Sequence, residues 1–142
     1  MSLQLLETRE WDSNLPPFSP FFFTSSWLDN IHDTYNLPLW KLYSTSQSGQ
    51  ITGFLPIFEI KSRIFGHRLV SIPFCEYGGP LLVEEYNPSS VSSLMKQVVQ
   101  IQKQTQAKYL KFHMDSLMPN IEKLIWFQSH TYSNFRTSEL YF

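Results

Sequence analysis

The chain has 142 residues and a formal net charge of -1, which suits one domain with its own core and excludes a general electrostatic attraction to nucleic acid or acidic membranes. Cys75 is the only cysteine, so an internal disulfide framework is excluded and a reducing compartment is favoured. The N-terminus lacks the pattern of a signal peptide, and no uncharged run is long and apolar enough to span a bilayer. We therefore expect a cytoplasmic protein that binds no DNA and has no transmembrane segment.

The first half of the chain predicts one helix and three strands. Residues 15–23 contain three prolines and predict an irregular apolar segment. A helix capped at residues 24–26 follows and ends at Leu37-Pro38. Residues 39–45 and 51–60 predict a hairpin, in which the second strand is central and Pro56 marks a bulge or an unpaired position. Residues 67–73 predict the third strand.

The second half predicts a long helix and two further strands. Asn87 as cap and Pro88 at the first helical position place the helix at about residues 88–106. Its apolar face comprises Val91, Leu94, Met95, Val98 and Ile101, and its polar face Lys96, Gln97, Gln100, Lys103 and Gln104. Alternation predicts a strand at residues 109–114, and residues 132–142 predict another. The order of elements favours a layered α/β (α+β) domain with a mixed, mostly antiparallel sheet flanked by helices.

The chain is unusually aromatic and sparsely charged. Its 12 Phe, 7 Tyr and 4 Trp make up 16% of the residues, and charged residues also make up 16%, against roughly 25% in typical soluble domains. This predicts that some rings lie on a surface covered by another domain or chain. Phe21, Phe22, Phe23 and Trp27 either form such a docking patch or pack the first helix onto the sheet.

Two short segments could bind a ligand. Lys61, Arg63, His67 and Arg68 surround one predicted hairpin, where they could hold a phosphate or carboxylate or could simply form a solvated turn. Residues 77–80, Tyr-Gly-Gly-Pro, form a turn at which paired glycines could let a ligand approach the backbone, or a plain connection between strands.

No catalytic residue can be named from these patterns. Cys75 could be a nucleophile only with a base and an orienting group beside it. His67 is near it in sequence, but a small buried thiol is the favoured interpretation. No histidine pair has the spacing of a zinc site, so no metal is expected.

Residues 51–81 contain, in order, Leu55-Pro56, Lys61-Ser62-Arg63, Phe65-Gly66, Pro73-Phe74 and Tyr77-Gly78-Gly79-Pro80. This succession resembles the N-terminal domain of FemAB-like proteins, relatives of the aminoacyltransferases that build peptidoglycan interpeptide bridges. Its specific part covers about thirty residues. The resemblance implies that residues 1–142 form a single GNAT-like domain, equivalent to the first half of a two-domain protein.

The resemblance also implies a function. It would be aminoacyl or acyl transfer to an amine-bearing acceptor, an anionic small molecule or a peptidoglycan precursor, from an aminoacyl-tRNA or acyl-CoA donor. The substrate contacts carried over are Lys61, Arg63, Tyr77, Gly78 and Gly79. A second GNAT-like domain, in cis or in trans, or another copy of the chain would complete the enzyme. The alternative is a non-catalytic binding module, or a truncated remnant, that docks through its aromatic face.

Overall fold

The computed structural model describes residues 8–64, 66–75, 78–84, 87–111, 134–136 and 139–141. The helices in this part of the chain are α1 (Thr8–Asn14), α2 (Ser25–Tyr35) and α3 (Pro88–Thr105), with a 3-10 turn at Phe21–Phe23. The strands are β1 (Leu39–Thr45), β2 (Ile51–Ser62), β3 (Gly66–Val70), β4 (Leu81–Leu82), β5 (Tyr109–Lys111), β6 (Asn134–Arg136) and β7 (Glu139–Tyr141).

The described strands form one sheet in the order β1-β2-β3-β5-β7-β6, and β4 pairs with β2 next to β3. The β3–β5 pair is parallel and the other described pairs are antiparallel. The predicted mixed α/β domain with a mostly antiparallel sheet and flanking helices is confirmed, as is the prediction that β2 is flanked on both sides. No helix in the described part of the chain is long and apolar enough to cross a membrane.

Each face of the sheet carries its own apolar core. Helix α3 covers the first, which we call the α3 face, through a cluster that includes Leu55, Ile57, Leu69 and Leu110. Helices α1 and α2 cover the second, the α1–α2 face, through a cluster that includes Trp11, Phe23, Phe54 and Phe58. Because side chains alternate along a strand, the sequence position of each residue in β2 and β3 decides which face it serves.

Helix α1 is an element that the sequence analysis did not predict. Its seven residues are too few to show a helical repeat. Trp11 is fully buried, and its Nε1 donates to the Phe23 carbonyl oxygen over 2.7 Å. Asp12 Oδ1 accepts from the Ser25 backbone N–H at 2.8 Å, so α1 caps the first turn of α2. Thr24 occupies the cap position, but its hydroxyl donates to the Phe21 carbonyl oxygen at 2.6 Å instead.

Of the bulge or unpaired position predicted at Pro56, the bulge is absent and the unpaired position is present, on the side of β2 away from β1. Pro56 pairs with Lys41 in an unbroken register, and the irregularity lies at Ser44/Thr45. The N–H of Glu59 points towards β1, since it donates to the Pro38 carbonyl oxygen, so by alternation the nitrogen of Pro56 points away from β1. On that side β2 pairs with β3 only from residue 58 onward and with β4 only at residues 53–54. The proline therefore lies where no partner strand needs its missing N–H.

Other predicted boundaries shift for identifiable reasons. The strand predicted at residues 67–73 is β3, which ends at Val70 because Ile72 and Phe74 adopt φ of +46° and +68°. Strand β5 matches the start of the segment predicted at 109–114, and residues 112–114 lie outside the described part of the chain. The segment predicted as one strand at 132–142 contains two, β6 and β7, paired antiparallel.

Candidate functional site

Two strands bring a carboxylate and an imidazole together at one end of the α3 face. Lys61 of β2 lies opposite His67 of β3, and Glu59 precedes Lys61 by two residues, so all three side chains share one face. The Glu59 Oε1 to His67 Nε2 distance is 2.6 Å. The Glu59 side chain is 10% exposed and that of His67 20% exposed, so the pair is largely shielded but reachable from solvent.

The geometry of this pair defines what each ring nitrogen does. A carboxylate only accepts hydrogen bonds, so Nε2 of His67 must carry the proton. In the neutral ring Nδ1 is then the basic nitrogen, and no hydrogen bond from the described residues occupies it. A carboxylate that accepts a hydrogen bond from a histidine in this way fixes the tautomer and the orientation of the ring. The pair is therefore able to accept and return a proton.

The basic turn lies beside this pair. Lys61 Nζ is 3.4 Å from the same Glu59 oxygen, while its side chain is 73% exposed. Arg63 is exposed in the turn that follows β2, where the Ser62 hydroxyl accepts from the Ile64 backbone N–H at 3.2 Å. Of the predicted ligand contacts, Lys61 thus lies next to a proton acceptor that sequence reasoning had not identified, and Arg63 follows it by two residues in the turn.

Gly78 lies away from this site. Gly78 packs beside Ser71, which follows the far end of β3, and the five residues of β3 separate its two ends by roughly 14 Å. A Cβ at Gly78 would stand 2.2 Å from the Ser71 carbonyl oxygen, so the protein's own backbone occupies the space that a ligand would need there. Gly79 is also buried. Tyr77 lies outside the described residues.

Arg68 and Cys75 lie on the α1–α2 face, opposite the face that carries His67. Arg68, one residue after His67, points to the α1–α2 face. Cys75 packs against the core of that same face, so His67 is not its base. Burial raises the pKa of the Cys75 thiol, and the nearby Trp27 side chain lowers it by a smaller amount. This is the environment of an unreactive thiol, as the sequence analysis favoured.

The aromatic segment divides between core and surface. Phe23 is fully buried, and Phe22 and Trp27 pack against the same cluster, so these rings hold the first part of the chain on the sheet. Phe21 remains 64% exposed, with its ring edge-on to Trp27 at 5.2 Å between centroids. Phe18, three residues earlier, is 66% exposed.

Glu59 is the site residue that sequence reasoning missed. It lies in the strand predicted to be central, and its one signal is a carboxylate within an otherwise apolar run. A buried carboxylate requires a partner, but only the register of β2 against β3 shows that His67 is that partner.

Comparison with known proteins does not assign the chain to a family. No family model matches the chain. A search of curated proteins found no match. Among the described residues, no three histidine, cysteine or acidic side chains come together as a group that could hold a metal ion.

Proposed function

We propose that this chain is the first half of an acyl- or aminoacyl-transferase of the FemAB type, with a GNAT-like fold. The observation that carries the proposal is the 2.6 Å contact between Glu59 and His67, with the exposed Lys61 3.4 Å from the same carboxylate and the exposed Arg63 two residues further along the chain. A transferase that uses an amine acceptor needs a group to take the amine proton, and this pair has the geometry for it.

The proposed reaction assigns a role to each of these residues. Lys61 and Arg63 hold a carboxylate or phosphate of the acceptor. An acceptor ammonium first loses one proton to solvent; His67 Nδ1 then takes a proton from the neutral amine as its nitrogen attacks the carbonyl carbon of an ester or thioester donor. The new C–N bond forms, the C–O or C–S bond breaks, and the imidazolium returns the proton to the leaving oxygen or sulfur. Glu59 keeps the ring in the required orientation and tautomer.

The proposal needs a donor site that the described residues do not include. A second GNAT-like domain, in cis or in trans, or another copy of the chain would bind an aminoacyl-tRNA or acyl-CoA donor. Holding the donor and the acceptor close together in the reacting orientation supplies much of the rate enhancement in such a reaction. The proposed setting is the cytoplasm, which a single cysteine suits.

The test is transfer of an acyl or aminoacyl group to a set of amines that carry a carboxylate or phosphate, using the natural full-length product of the gene. His67→Asn should lower kcat by about 100-fold or more, and added imidazole should restore part of the loss. Lys61→Met should instead raise KM, because it removes a binding contact. Failure of every amine to accept the group, or full activity in His67→Asn, would overturn the proposal.

A binding module is the second possibility, and a different observation favours it. Phe18 and Phe21, in the segment between α1 and α2, are both about two-thirds exposed. Large exposed rings of this kind mark contacts between proteins. In this alternative the chain self-associates through these rings and catalyses nothing.

Sedimentation of the full chain distinguishes the two. A self-associating module should become monomeric with Phe21→Ser and be unaffected by His67→Asn. The binding-module alternative is ruled out if the chain is monomeric at all concentrations and the complete enzyme still transfers acyl groups. The exposed Phe21 side chain can be replaced without opening the core.

A further inference from the structure

A second concave site lies on the α1–α2 face, on the opposite side of the sheet from Glu59 and His67. It is a pocket of about 410 Å³. Its floor comes from Ile60 of β2 and Val70 of β3, and its cations are Arg68 of β3 and Lys111 of β5. This volume lies within the usual range for small-molecule sites.

The charge of this pocket contrasts with that of the whole chain. The formal net charge is -1, yet among the described residues that line the pocket none is acidic and two are cationic. Lys111 pairs with Val70, two residues beyond Arg68, so the two backbones are roughly 8 Å apart by strand spacing and rise. Both side chains are long enough to reach one anionic group from that separation. A planar guanidinium and an ammonium together suit the oxygens of a carboxylate or phosphate.

The rim of the pocket is aromatic. Tyr35, at the end of α2, and Phe74, in the segment after β3, have ring centroids 5.1 Å apart at an interplanar angle of 39°. Both are mostly exposed, with Tyr35 at 56% and Phe74 at 67%. Exposed rings above an apolar floor favour a ligand with a flat or branched apolar part.

The backbone that presents Phe74 is strained. Ile72 and Phe74 have φ of +46° and +68°, a region that side chains other than glycine and asparagine rarely adopt. Ile72 is also β-branched and fully buried. Such outliers persist where surrounding structure imposes them, and they are concentrated at binding sites. The strain is an observation independent of the cations and points to the same pocket.

We propose that this pocket binds a small organic anion in which a carboxylate or phosphate is attached to a ring-sized apolar group. Arg68 and Lys111 contact the anionic group. The apolar group lies on Ile60 and Val70 beneath the rings of Tyr35 and Phe74. The site is separate from the proposed transfer site, so its test is independent of acyl transfer.

The experiment is calorimetric titration of the full chain with four probes: phenyl phosphate, phenylacetate, inorganic phosphate and benzyl alcohol. We expect phenyl phosphate or phenylacetate to bind with a Kd of about 1 mM or tighter, and whichever binds more tightly identifies the anionic group. Inorganic phosphate lacks the apolar part and benzyl alcohol lacks the charge, so each should bind at least about tenfold more weakly.

Two variants and two matched controls locate the binding. Lys111→Met keeps the apolar stem and should weaken the tighter probe about tenfold. Phe74→Asn removes the ring while an asparagine tolerates the left-handed backbone, and it should weaken binding at least about threefold. Lys108→Met and Phe18→Ala make the same kinds of change at exposed positions outside the pocket and should leave Kd within twofold. The proposal is overturned if neither phenyl phosphate nor phenylacetate binds, or if inorganic phosphate binds as tightly as they do. It is also overturned if the control variants weaken binding as much as Lys111→Met and Phe74→Asn.

Discussion

Gln97 of α3 donates a hydrogen bond from Nε2 to the backbone carbonyl oxygen of Tyr43 at 2.8 Å. This carbonyl lies on the outer edge of β1, because the Pro38 carbonyl oxygen accepts from β2 and carbonyl directions alternate along a strand. Gln97 is 3% exposed, so a helix side chain covers part of a sheet edge that would otherwise offer unpaired backbone groups to another chain. The prediction that Gln97 lies on the polar, solvated face of its helix is therefore wrong.

Replacing Gln97 should be costly. Gln97→Leu removes the donor and leaves the Tyr43 carbonyl without its partner, and we expect the free energy of unfolding to fall by about 1–2 kcal/mol. Urea denaturation followed by circular dichroism measures this change. Gln104→Leu, an exposed glutamine on the same helix, is the control and should change stability by no more than about 0.5 kcal/mol. Equal effects of the two variants would mean that the Gln97 contact contributes nothing.

The buried Lys41 of β1 should depend on its partner in α2. Its Nζ is 2.8 Å from Asp29 Oδ1 and 3.0 Å from Ser25 Oγ. Asp29→Ala would remove the carboxylate that lies beside a buried ammonium; because the Asp29 side chain is 39% exposed, we reduce the expected loss to about 2 kcal/mol. Lys41→Met removes the buried ammonium itself. It should therefore lower the free energy of unfolding by less than Asp29→Ala does.

Thermal unfolding of both variants checks this ordering. Asp33→Ala, on the same helix with a 78% exposed side chain, is the control and should leave Tm nearly unchanged. A larger loss in Lys41→Met than in Asp29→Ala would show that the ion pair itself is strongly stabilising.

Gly78 should be intolerant of any side chain. Gly78→Ala places a Cβ 2.2 Å from the Ser71 carbonyl oxygen, and that backbone atom cannot move aside cheaply, so we expect a loss of about 3 kcal/mol. Gly66→Ala tests backbone conformation alone, since Gly66 has φ of +79° with open space around it, and should cost about 1–2 kcal/mol. Chemical denaturation of both variants gives the comparison. If Gly78→Ala is as stable as the unmodified chain, packing does not explain the glycine, and contact with a ligand becomes the better explanation.

The Cys75 thiol should react slowly at neutral pH. Its pKa is raised above the ordinary 9.0, chiefly by burial, so the thiolate is scarce at pH 7 and increases only as the pH rises past that value. Because the folded state holds this proton more tightly than the unfolded state, Cys75 lowers stability only as the pH rises from its unfolded pKa through its folded one.

Alkylation by iodoacetamide measures this. The rate should rise steeply above pH 9 in the folded chain, and at pH 8 the urea-unfolded chain should react faster than the folded one. A fast reaction of the folded chain at pH 7 would contradict the expected pKa and return Cys75 to consideration as a nucleophile.

The predictable parts of this fold are those with long, repeated patterns. Helix α3 begins at Pro88 with the Asn87 side chain accepting from the Ser90 N–H at 3.1 Å, as the sequence predicted. Strand β1 matches its predicted bounds, and β2 starts where predicted and extends two residues further. Helix α1 was not predictable in the same way, because its seven residues are held by contacts from Trp11 and Asp12 to residues more than ten positions away.

Only part of the candidate site could be predicted from the sequence. Lys61 and Arg63 are exposed, and their placement in a short turn follows from local sequence. The distance between Glu59 and His67 depends on strand register, which is a long-range property. The separation of Gly78 from the basic turn, and of Arg68 from His67, depends on the length of β3 and on which face each residue serves.

The sequence by itself determined the class of the domain, the helix cap at Asn87 and the main strands, because caps, turns and apolar periodicity act between residues close together along the chain. Tertiary structure alone decided that Glu59 orients His67, that Gln97 covers the edge of β1, and that Arg68 and Lys111 line one pocket. Each of these relationships joins residues on different elements. They exist only because burial of two apolar cores brings those elements into register, and no local pattern encodes that register.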